Sequence, residues 1–197
     1  MQNWKTVPIP DRMQHLERDA RGYPVPIVIL RDNNNKPHFQ INDHVKIEWC
    51  IKERKCSICG TDLQEDIWFS GGPLSALHPR GAFIDSPSHH DCGQYAMQVC
   101  PYLSAPSYSK RLDLTTLNQK NFNGRAFIDH TVMEGRPPFF VLAKTLNFEV
   151  KRYPGGRRVL IPQRPFLVTE CWENGEQTTL KEVLQKYHAY FVLRDSL

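Results

Sequence analysis

The 197-residue sequence lacks several features that would assign it to a large functional class. It has no run of about 18 apolar residues that could span a bilayer, and its first residues lack the apolar stretch of a secretory signal peptide. A glycine-rich phosphate loop, an HExxH motif and a nucleophile elbow are also missing. We therefore expect a cytoplasmic protein with no membrane partner, and no known motif assigns it to an enzyme class.

A strong excess of charge of either sign is missing as well. The formal net charge is only +4, so composition alone requires neither a nucleic acid nor a membrane as partner. The distribution is uneven, because residues 1–100 carry 11 basic and 12 acidic side chains whereas residues 101–197 carry 14 and 9. Any surface that attracts anions therefore belongs to the second half of the chain.

Six cysteines are present, and three of them, together with one histidine, have the spacing of metal ligands. The segment CSICG contains Cys56 and Cys59, two thiols that one turn can direct at the same ion. His89 and Cys92 are three positions apart at the predicted start of a helix, where such residues share one face. We therefore predict one structural zinc ion bound by Cys56, Cys59, His89 and Cys92, with His90 as the alternative to His89.

The predicted zinc site is closed. Three thiolates and one imidazole fill a tetrahedron, whereas a catalytic zinc ion keeps one position for water. A zinc deaminase is excluded, because the combination of H-x-E with P-C-x-x-C that this class needs does not occur. The remaining cysteines, Cys50, Cys100 and Cys171, are expected in the core, where unpaired cysteines commonly lie.

The order of elements around the predicted ligands is that of a treble-clef zinc finger. The CxxC knuckle is followed by predicted strands at Ile67–Ser70 and Ala82–Ile84, which a turn at Gly71–Pro73 joins into a hairpin. A helix from His89 then supplies the second ligand pair. We predict an α+β protein in which this treble clef (knuckle, β-hairpin and helix) packs with a mostly antiparallel C-terminal sheet and a terminal helix.

The chain divides into three predicted segments. Residues 1–42 are expected to form an extended arm and a hairpin, and residues 43–108 the treble-clef zinc-binding module. Residues 109–197 are expected to form a basic β-rich region that ends in an amphipathic helix.

Periodicity predicts the individual elements of these segments. A capping box of Thr179 and Glu182 starts the terminal helix. The predicted buried stripe of that helix is Leu180, Val183, Leu184, Tyr187 and Phe191. A helix over residues 43–54 is expected to place three side chains near one face: Val45, Trp49 and Cys50. The predicted C-terminal strands are Phe139–Ala143, Phe148–Lys151, Arg158–Ile161 and Phe166–Thr169.

A basic hairpin is predicted in the second half of the chain. Residues 136–164 carry seven basic side chains against the single acidic Glu149. A hairpin tip of this composition can bind phosphates while a tyrosine stacks on a base. The alternative is a solvated hairpin whose charges protect an edge strand. The candidate nucleic-acid-binding residues are Lys151, Arg152, Tyr153, Arg157 and Arg158.

The enzymatic alternative is an HNH-like metal-dependent nuclease, a class that adds a catalytic histidine and a second metal to a treble clef. His78 and Asp85 lie in the predicted hairpin region, and Asp129–His130 supplies another acid and histidine. These residues do not follow the His, Asn, His order of that class, and Asp129–His130 can equally form a turn. We therefore assign no catalytic residue and favour a protein that is not an enzyme.

Four motifs resemble those of a known group of proteins. They are CSICG at Cys56–Gly60, GGPLS at Gly71–Ser75, the HxxCxxYAxxVCP pattern at His89–Pro101 and RGYPVP at Arg21–Pro26. The group consists of small uncharacterised treble-clef zinc-finger proteins of phages and bacteria, particularly actinobacteria. The resemblance covers about residues 8–108. It implies a zinc-binding fold and a phage origin, hence a host cytoplasm, but no activity.

The function that these observations predict is binding without catalysis. We expect a zinc-stabilised protein that contacts nucleic acid or a protein partner, as a phage accessory or host-takeover (anti-defence) factor. The closed zinc site and the basic second half are the features that lead to this hypothesis.

Overall fold

A computed structural model describes residues 4–105, 126–127, 136–154 and 158–188. This part of the chain forms antiparallel sheets and a few short helices, which confirms the predicted α+β class. The strands are β1 (Ile29–Arg31), β2 (Pro37–Asp43), β3 (Ile67–Gly71), β4 (Ala126–Phe127), β5 (Phe140–Thr145), β6 (Phe148–Arg152), β7 (Arg158–Pro162), β8 (Val168–Glu173) and β9 (Glu176–Thr178). The helices are α1 (His44–Lys52), α2 (Pro73–Leu77), α3 (His90–Val99), α4 (Pro101–Ser104) and α5 (Leu180–Lys186), after two short 3-10 helices at Trp4–Thr6 and Asp11–Met13. Within the described residues, no helix is long and apolar enough to cross a membrane.

A four-stranded antiparallel sheet with the order β3-β5-β8-β9 lies between two apolar clusters. On β5, Val141 and Ala143 belong to the main core, whereas Phe140 and Leu142 belong to a smaller cluster. This alternation is the period of two expected of a strand whose successive side chains point to opposite faces. Because both faces are covered, β5 reads as an almost continuous apolar run.

The main core draws on all three predicted segments of the chain. Met13, Phe69 and Phe139 come from the first, second and third segment, and none of them is more than 1% exposed. The ring of Phe69 lies 4.9 Å from that of Phe83 and 5.5 Å from that of Phe148, measured between centroids. The N-terminal arm, the cysteine-rich module and the C-terminal strands therefore share one hydrophobic core.

Helices α3 and α4 cover the smaller cluster. Met97 of α3 is fully buried in it, and Tyr102 and Leu103 of α4 pack at its edge. At Gly93 a Cβ atom would lie only 2.8 Å from the side chain of Leu142, so the absence of a side chain permits α3 to approach β5 closely. The position of α3 matters because this helix carries part of the candidate metal centre.

Helix α1 differs from its predicted orientation. The carboxylate of Asp43 caps it by accepting hydrogen bonds from two backbone N–H groups of the first turn. Its buried face consists of Ile47, Cys50 and Ile51. The prediction that Val45 and Trp49 share the face of Cys50 was wrong, since these two side chains are 52% and 40% exposed. Ile47, Cys50 and Ile51 have the i, i+3, i+4 spacing of one helix face, which Val45 and Trp49 do not share with Cys50.

The region between the knuckle and α3 also differs from prediction. The strand predicted at Ile67–Ser70 is present as β3, but the following glycine pair leads into helix α2, which begins at Pro73. Proline is well suited to the first turn of a helix, because the N–H that it lacks has no intrahelical acceptor there. The predicted second strand, Ala82–Ile84, is reduced to one bridge in which Phe83 pairs with Leu160 of β7.

The C-terminal elements largely follow the sequence pattern. The turn between β8 and β9 places Asn174 and Gly175 at φ values of +53° and +86°, as a tight hairpin turn requires. The capping box of Thr179 and Glu182 is confirmed at the start of α5. The predicted buried stripe of α5 is confirmed at Val183, which is 1% exposed. It was wrong at Leu180 and Leu184, which are 38% and 40% exposed, while Phe191 lies outside the described residues.

Candidate metal centre

The first pair of candidate ligands lies in a tight turn between α1 and β3. The Sγ atom of Cys56 accepts hydrogen bonds from the backbone N–H groups of Ile58 and Cys59, both at 3.4 Å. Gly60 closes the turn at φ +79°, a conformation that favours glycine, and its N–H donates to the Cys56 carbonyl at 2.8 Å. The local sequence CSICG therefore forms the knuckle that its spacing predicts.

The second pair lies at the start of α3. His89 is the N-cap residue of this helix, and Cys92 lies in its first turn. Backbone hydrogen bonds of 2.9 Å and 2.8 Å join Trp68 of β3 to Ser88 and so hold the start of the helix beside the sheet. The carboxylate of Asp66 accepts the N–H of the first helical residue at 3.1 Å, which adds a further anchor.

All four candidate ligands meet in the interior of the protein. The ligand atoms of Cys56, Cys59, His89 and Cys92 lie within 4.8 Å of one another, and none of these residues is more than 1% exposed. Tetrahedral zinc with Zn–S bonds of about 2.3 Å has ligand atoms about 3.8 Å apart. The four side chains are therefore close enough to hold one metal ion.

The hydrogen bonds of His89 direct one ring nitrogen to the cluster. Its Nε2 lies 2.9 Å from the carbonyl oxygen of Asp62, which can only accept, so Nε2 carries a proton. Its Nδ1 lies 3.3 Å from Sγ of Cys59 and faces the cluster. A backbone carbonyl that orients an imidazole in this way is the usual second partner of a metal-bound histidine.

The four groups also change one another's proton affinity. Hydrogen bonds from Cys56 and Cys92 hold the pKa of Cys59 well below its usual range. Burial lowers the pKa of His89, but hydrogen bonds to Cys56 and Cys59 outweigh this effect and raise it to about 10. A metal ion would take the place of the protons that these groups share.

No protein-family model, curated protein or solved structure matches this chain.

The three remaining cysteines do not belong to the cluster. Cys50 lies nearby in α1 and is completely buried, and burial first, then the charges of Cys56 and Cys59, raise its pKa to about 12. Cys171 of β8 is buried with a pKa raised to about 11 by burial, which confirms a core position for both. Cys100 is only half-buried at the end of α3.

His90, the alternative ligand, points away from the cluster. Its ring stacks on Trp68 with centroids 4.1 Å apart and planes 20° apart. Its Nε2 lies 2.6 Å from the carboxylate of Glu170 on β8, which also accepts hydrogen bonds from Gln94 and Trp172. His90 thus joins α3 to the central sheet, whereas His89 faces the candidate ligands.

Sequence reasoning did not find the residues that support the cluster. The Asp62 carbonyl orients His89, and the Thr61 hydroxyl lies 3.1 Å from Sγ of Cys59. Both follow the knuckle directly, but a backbone carbonyl carries no side-chain signal, and a threonine at this position is not distinctive.

Two of the residues considered for a nuclease, His78 and Asp85, make contacts outside the Cys3His cluster. The Nδ1 atom of His78 accepts the backbone N–H of Arg80 at 3.1 Å within a turn, and Asp85 accepts a hydrogen bond from Asn42. Asp129–His130 lies outside the described residues. Among the described residues, the Cys3His group is the one set of three or more side chains placed to share a metal ion.

The predicted nucleic-acid-binding residues are only partly available to a ligand. Lys151, Arg152 and Tyr153 are exposed at the end of β6, and Arg157 lies outside the described residues. Arg158, in contrast, is only 2% exposed, and its Nε lies 3.2 Å from Oε1 of Glu48 on α1. This burial removes Arg158 from the expected surface.

Three more basic side chains of residues 136–164 make contacts within the protein, and one of them is the exposed Arg152. Arg152 shares the carboxylate of Glu48, with Nη2 2.6 Å from Oε2. Arg136 donates to the carbonyls of Tyr102 and Leu103. Arg164 donates to three carbonyls in the α2 region, those of Ser75, Ala76 and Gly81. Several basic side chains of this segment thus form hydrogen bonds or ion pairs with other elements of the fold.

Proposed function

We propose that Cys56, Cys59, His89 and Cys92 bind a single structural zinc ion and that the protein is a zinc-stabilised binding module without catalytic activity. The observation that carries the zinc proposal is the meeting of four buried ligand atoms within 4.8 Å. The orientation of His89 by the Asp62 carbonyl supports it, because Nδ1 then faces the three sulfur atoms.

The donor set supports a structural role for the ion. Zinc that activates water keeps an open coordination position, whereas three thiolates and one imidazole occupy all four. Burial of the ligands supports this reading further, since none is more than 1% exposed. The zinc ion would hold the knuckle against the start of α3.

A treble-clef arrangement is part of this proposal. A knuckle supplies the first ligand pair and a helix start supplies the second, in the order typical of that fold. Between the two ligand pairs, Trp68 of β3 and Ser88 form an antiparallel bridge, which supports a treble-clef arrangement. Comparison of an experimental zinc-bound structure with this arrangement tests the assignment.

Lys151, Arg152 and Tyr153 are the proposed contacts to nucleic acid. They supply two cations and an aromatic ring at one exposed strand end, the combination that binds single strands by phosphate contact and base stacking. A protein partner is the other form of the proposal. A role as a phage accessory or host-takeover factor rests on the sequence motifs within residues 8–108.

Metal analysis and cobalt substitution test the zinc proposal. Protein purified without chelators should contain one equivalent of zinc. Replacement by Co²⁺ should produce the visible absorption bands of tetrahedral thiolate coordination, because three sulfur atoms and one nitrogen surround the ion. Less than about half an equivalent of zinc, or an octahedral cobalt spectrum, would contradict the proposal.

A binding titration tests the partner proposal. Labelled single-stranded DNA and RNA are titrated at low and at moderate ionic strength, and affinity should fall as salt rises because phosphate contacts release counterions. Absence of binding at low salt would remove nucleic acid and leave a protein partner. Incubation of the same nucleic acids with Mg²⁺ or Mn²⁺ tests the nuclease alternative, and substrate bands that stay intact would contradict it.

A further inference from the structure

Residues 4–28, called the N-terminal arm here, lie against the knuckle. Three successive knuckle carbonyls, those of Ser57, Ile58 and Cys59, accept hydrogen bonds from the arm. The respective donors are the backbone N–H of Val28 at 3.4 Å, the backbone N–H of Ile27 at 2.9 Å and Nε2 of His15 at 3.0 Å. Because a carbonyl only accepts, His15 must donate in the third of these bonds. The arm thus supplies hydrogen-bond donors for the backbone carbonyls of the turn that carries the candidate ligands Cys56 and Cys59.

The same arm contacts the first turn of α3, which carries the second ligand pair. The Nε atom of Arg12 donates to Oδ2 of Asp91 at 2.9 Å, and Asp91 lies between His89 and Cys92 in the chain. Arg12 and His15 therefore contact the two halves of the metal centre from one short segment. Two buried residues between and beyond them anchor that segment in the main core: Met13 (1% exposed) and Leu16 (7% exposed).

Charge gives Arg12 a further role in an occupied centre. Zinc bound by three thiolates and a neutral imidazole carries a net charge of minus one. Arg12 is a cation on the nearby arm. Burial lowers the pKa of Arg12, whereas the charge of Asp91 and its hydrogen bond raise it, and the net shift is upward. The guanidinium is therefore placed to compensate part of the negative charge of the centre.

We infer that the N-terminal arm completes the metal centre, with His15 and Arg12 as positioning residues that hold the two ligand pairs together and slow the release of zinc. This inference rests on the proposed zinc function. It assigns the arm a role beyond covering the core, because Arg12 and His15 are exposed residues, whereas Met13 and Leu16 are the ones that pack in the core.

Transfer of zinc to a chelator tests the inference on the full-length, zinc-loaded protein. The double variant Arg12→Ala/His15→Ala should bind one equivalent of zinc but lose it to an excess of a chromogenic chelator about tenfold faster than the wild type, as for other partners of metal ligands. A matched control, Arg80→Ala/His44→Ala, removes an exposed arginine and histidine outside the arm and should release zinc at the wild-type rate. The variant His15→Gln retains a donor at a similar position and should release zinc more slowly than His15→Ala.

Two outcomes separate this inference from the zinc proposal. A wild type with one equivalent of zinc and a double variant that releases it no faster would overturn the inference alone. A wild type without zinc would overturn both. Should the double variant fail to fold, amide hydrogen exchange of the wild type decides: zinc removal should deprotect residues 7–28, and unchanged protection there would overturn the inference.

Discussion

The candidate metal centre and the β6–β7 hairpin differ in how well the sequence predicted the positions of their side chains. In the metal centre, the four side chains chosen by spacing lie together in the interior. In the hairpin, Arg158 points inward to Glu48, and Arg152 shares the same carboxylate from a position 104 residues away in the chain. A ligand pair is a local pattern, whereas the exposure of a charge depends on distant partners. Spacing is therefore the better guide to function in this chain.

Substitution of one candidate ligand should have the largest effect on zinc content and on stability. In Cys92→Ser, zinc content should fall below about half an equivalent, and the free energy of unfolding should fall by at least about 4 kcal/mol, because loss of the metal separates α3 from the knuckle. Metal analysis and urea unfolding measure both quantities. The control Cys100→Ala removes a half-buried thiol outside the cluster and should retain one equivalent. Full zinc content in Cys92→Ser would show that the cluster is not the metal site.

Removal of the Glu48 carboxylate should have the second largest effect. Glu48→Gln leaves the buried guanidinium of Arg158, whose side chain is 1% exposed, without its ion pair to α1. We expect a loss of about 3 kcal/mol in urea unfolding, because a buried charge then loses its counter-charge. Arg152→Ala breaks the exposed ion pair to the same carboxylate and should cost less than about 1 kcal/mol. Equal losses would mean that Arg158 does not depend on Glu48.

The stabilisation that the Glu48 carboxylate provides should depend on pH. Hydrogen bonding by Arg152, opposed by burial and aided by the charge of Arg158, holds the pKa of Glu48 below its usual value of 4.5. Because the folded pKa is lower than the unfolded one, the stabilisation is complete above pH 4.5 and is lost as the pH falls through the folded value. The stability gap between wild type and Glu48→Gln should therefore narrow on acidification. A gap that stays constant would contradict this assignment.

Replacement of each of the two adjacent histidines by alanine should separate their effects on stability and on zinc content. His90→Ala removes the stack on Trp68 and the hydrogen bond to Glu170, so stability should fall by about 1–2 kcal/mol with zinc content unchanged. His89→Ala should lose zinc. Metal analysis of both variants, with urea unfolding of the first, distinguishes the two roles. The opposite result would make His90 the ligand.

The smallest effect is expected on the surface of the hairpin. If the tip binds single strands, Lys151→Ala should weaken the affinity several-fold and reduce the slope of log K against log salt by about 0.7, the share of one phosphate contact. Lys181→Ala on α5 removes an equally exposed cation elsewhere and serves as the control. Identical salt slopes for both variants would exclude the tip as the contact surface.

Several features of the fold were predictable because they depend on neighbours in sequence. The knuckle needs two cysteines and a glycine within five residues, and the capping box needs only Thr179 and Glu182. The hairpin turn at Asn174 and Gly175 is similarly local, since both residues tolerate positive φ. Each prediction succeeded where the interacting groups lie within one turn of the chain.

Other features were not predictable because partners far along the chain decide them. Phe83 pairs with Leu160 and not with a neighbouring strand, so the expected hairpin after the knuckle is reduced to a bridge. Leu180 and Leu184 have the spacing of a buried face, yet among the described residues α5 buries chiefly Val183. Periodicity shows which side of a helix is apolar, but not how much of that side another element covers.

By itself, the sequence determined that three cysteines and one of two adjacent histidines could bind one ion, because ligand type and spacing are properties of short segments. It also determined the start of α5, because the capping box is equally local. Only the tertiary structure decided that His89 and not His90 faces the sulfur atoms, and that Arg158 is buried against Glu48. It also decided that His15 contacts the Cys59 carbonyl and Arg12 the carboxylate of Asp91. These outcomes depend on how separate segments pack, and no local pattern specifies the partner that a side chain finds across the fold.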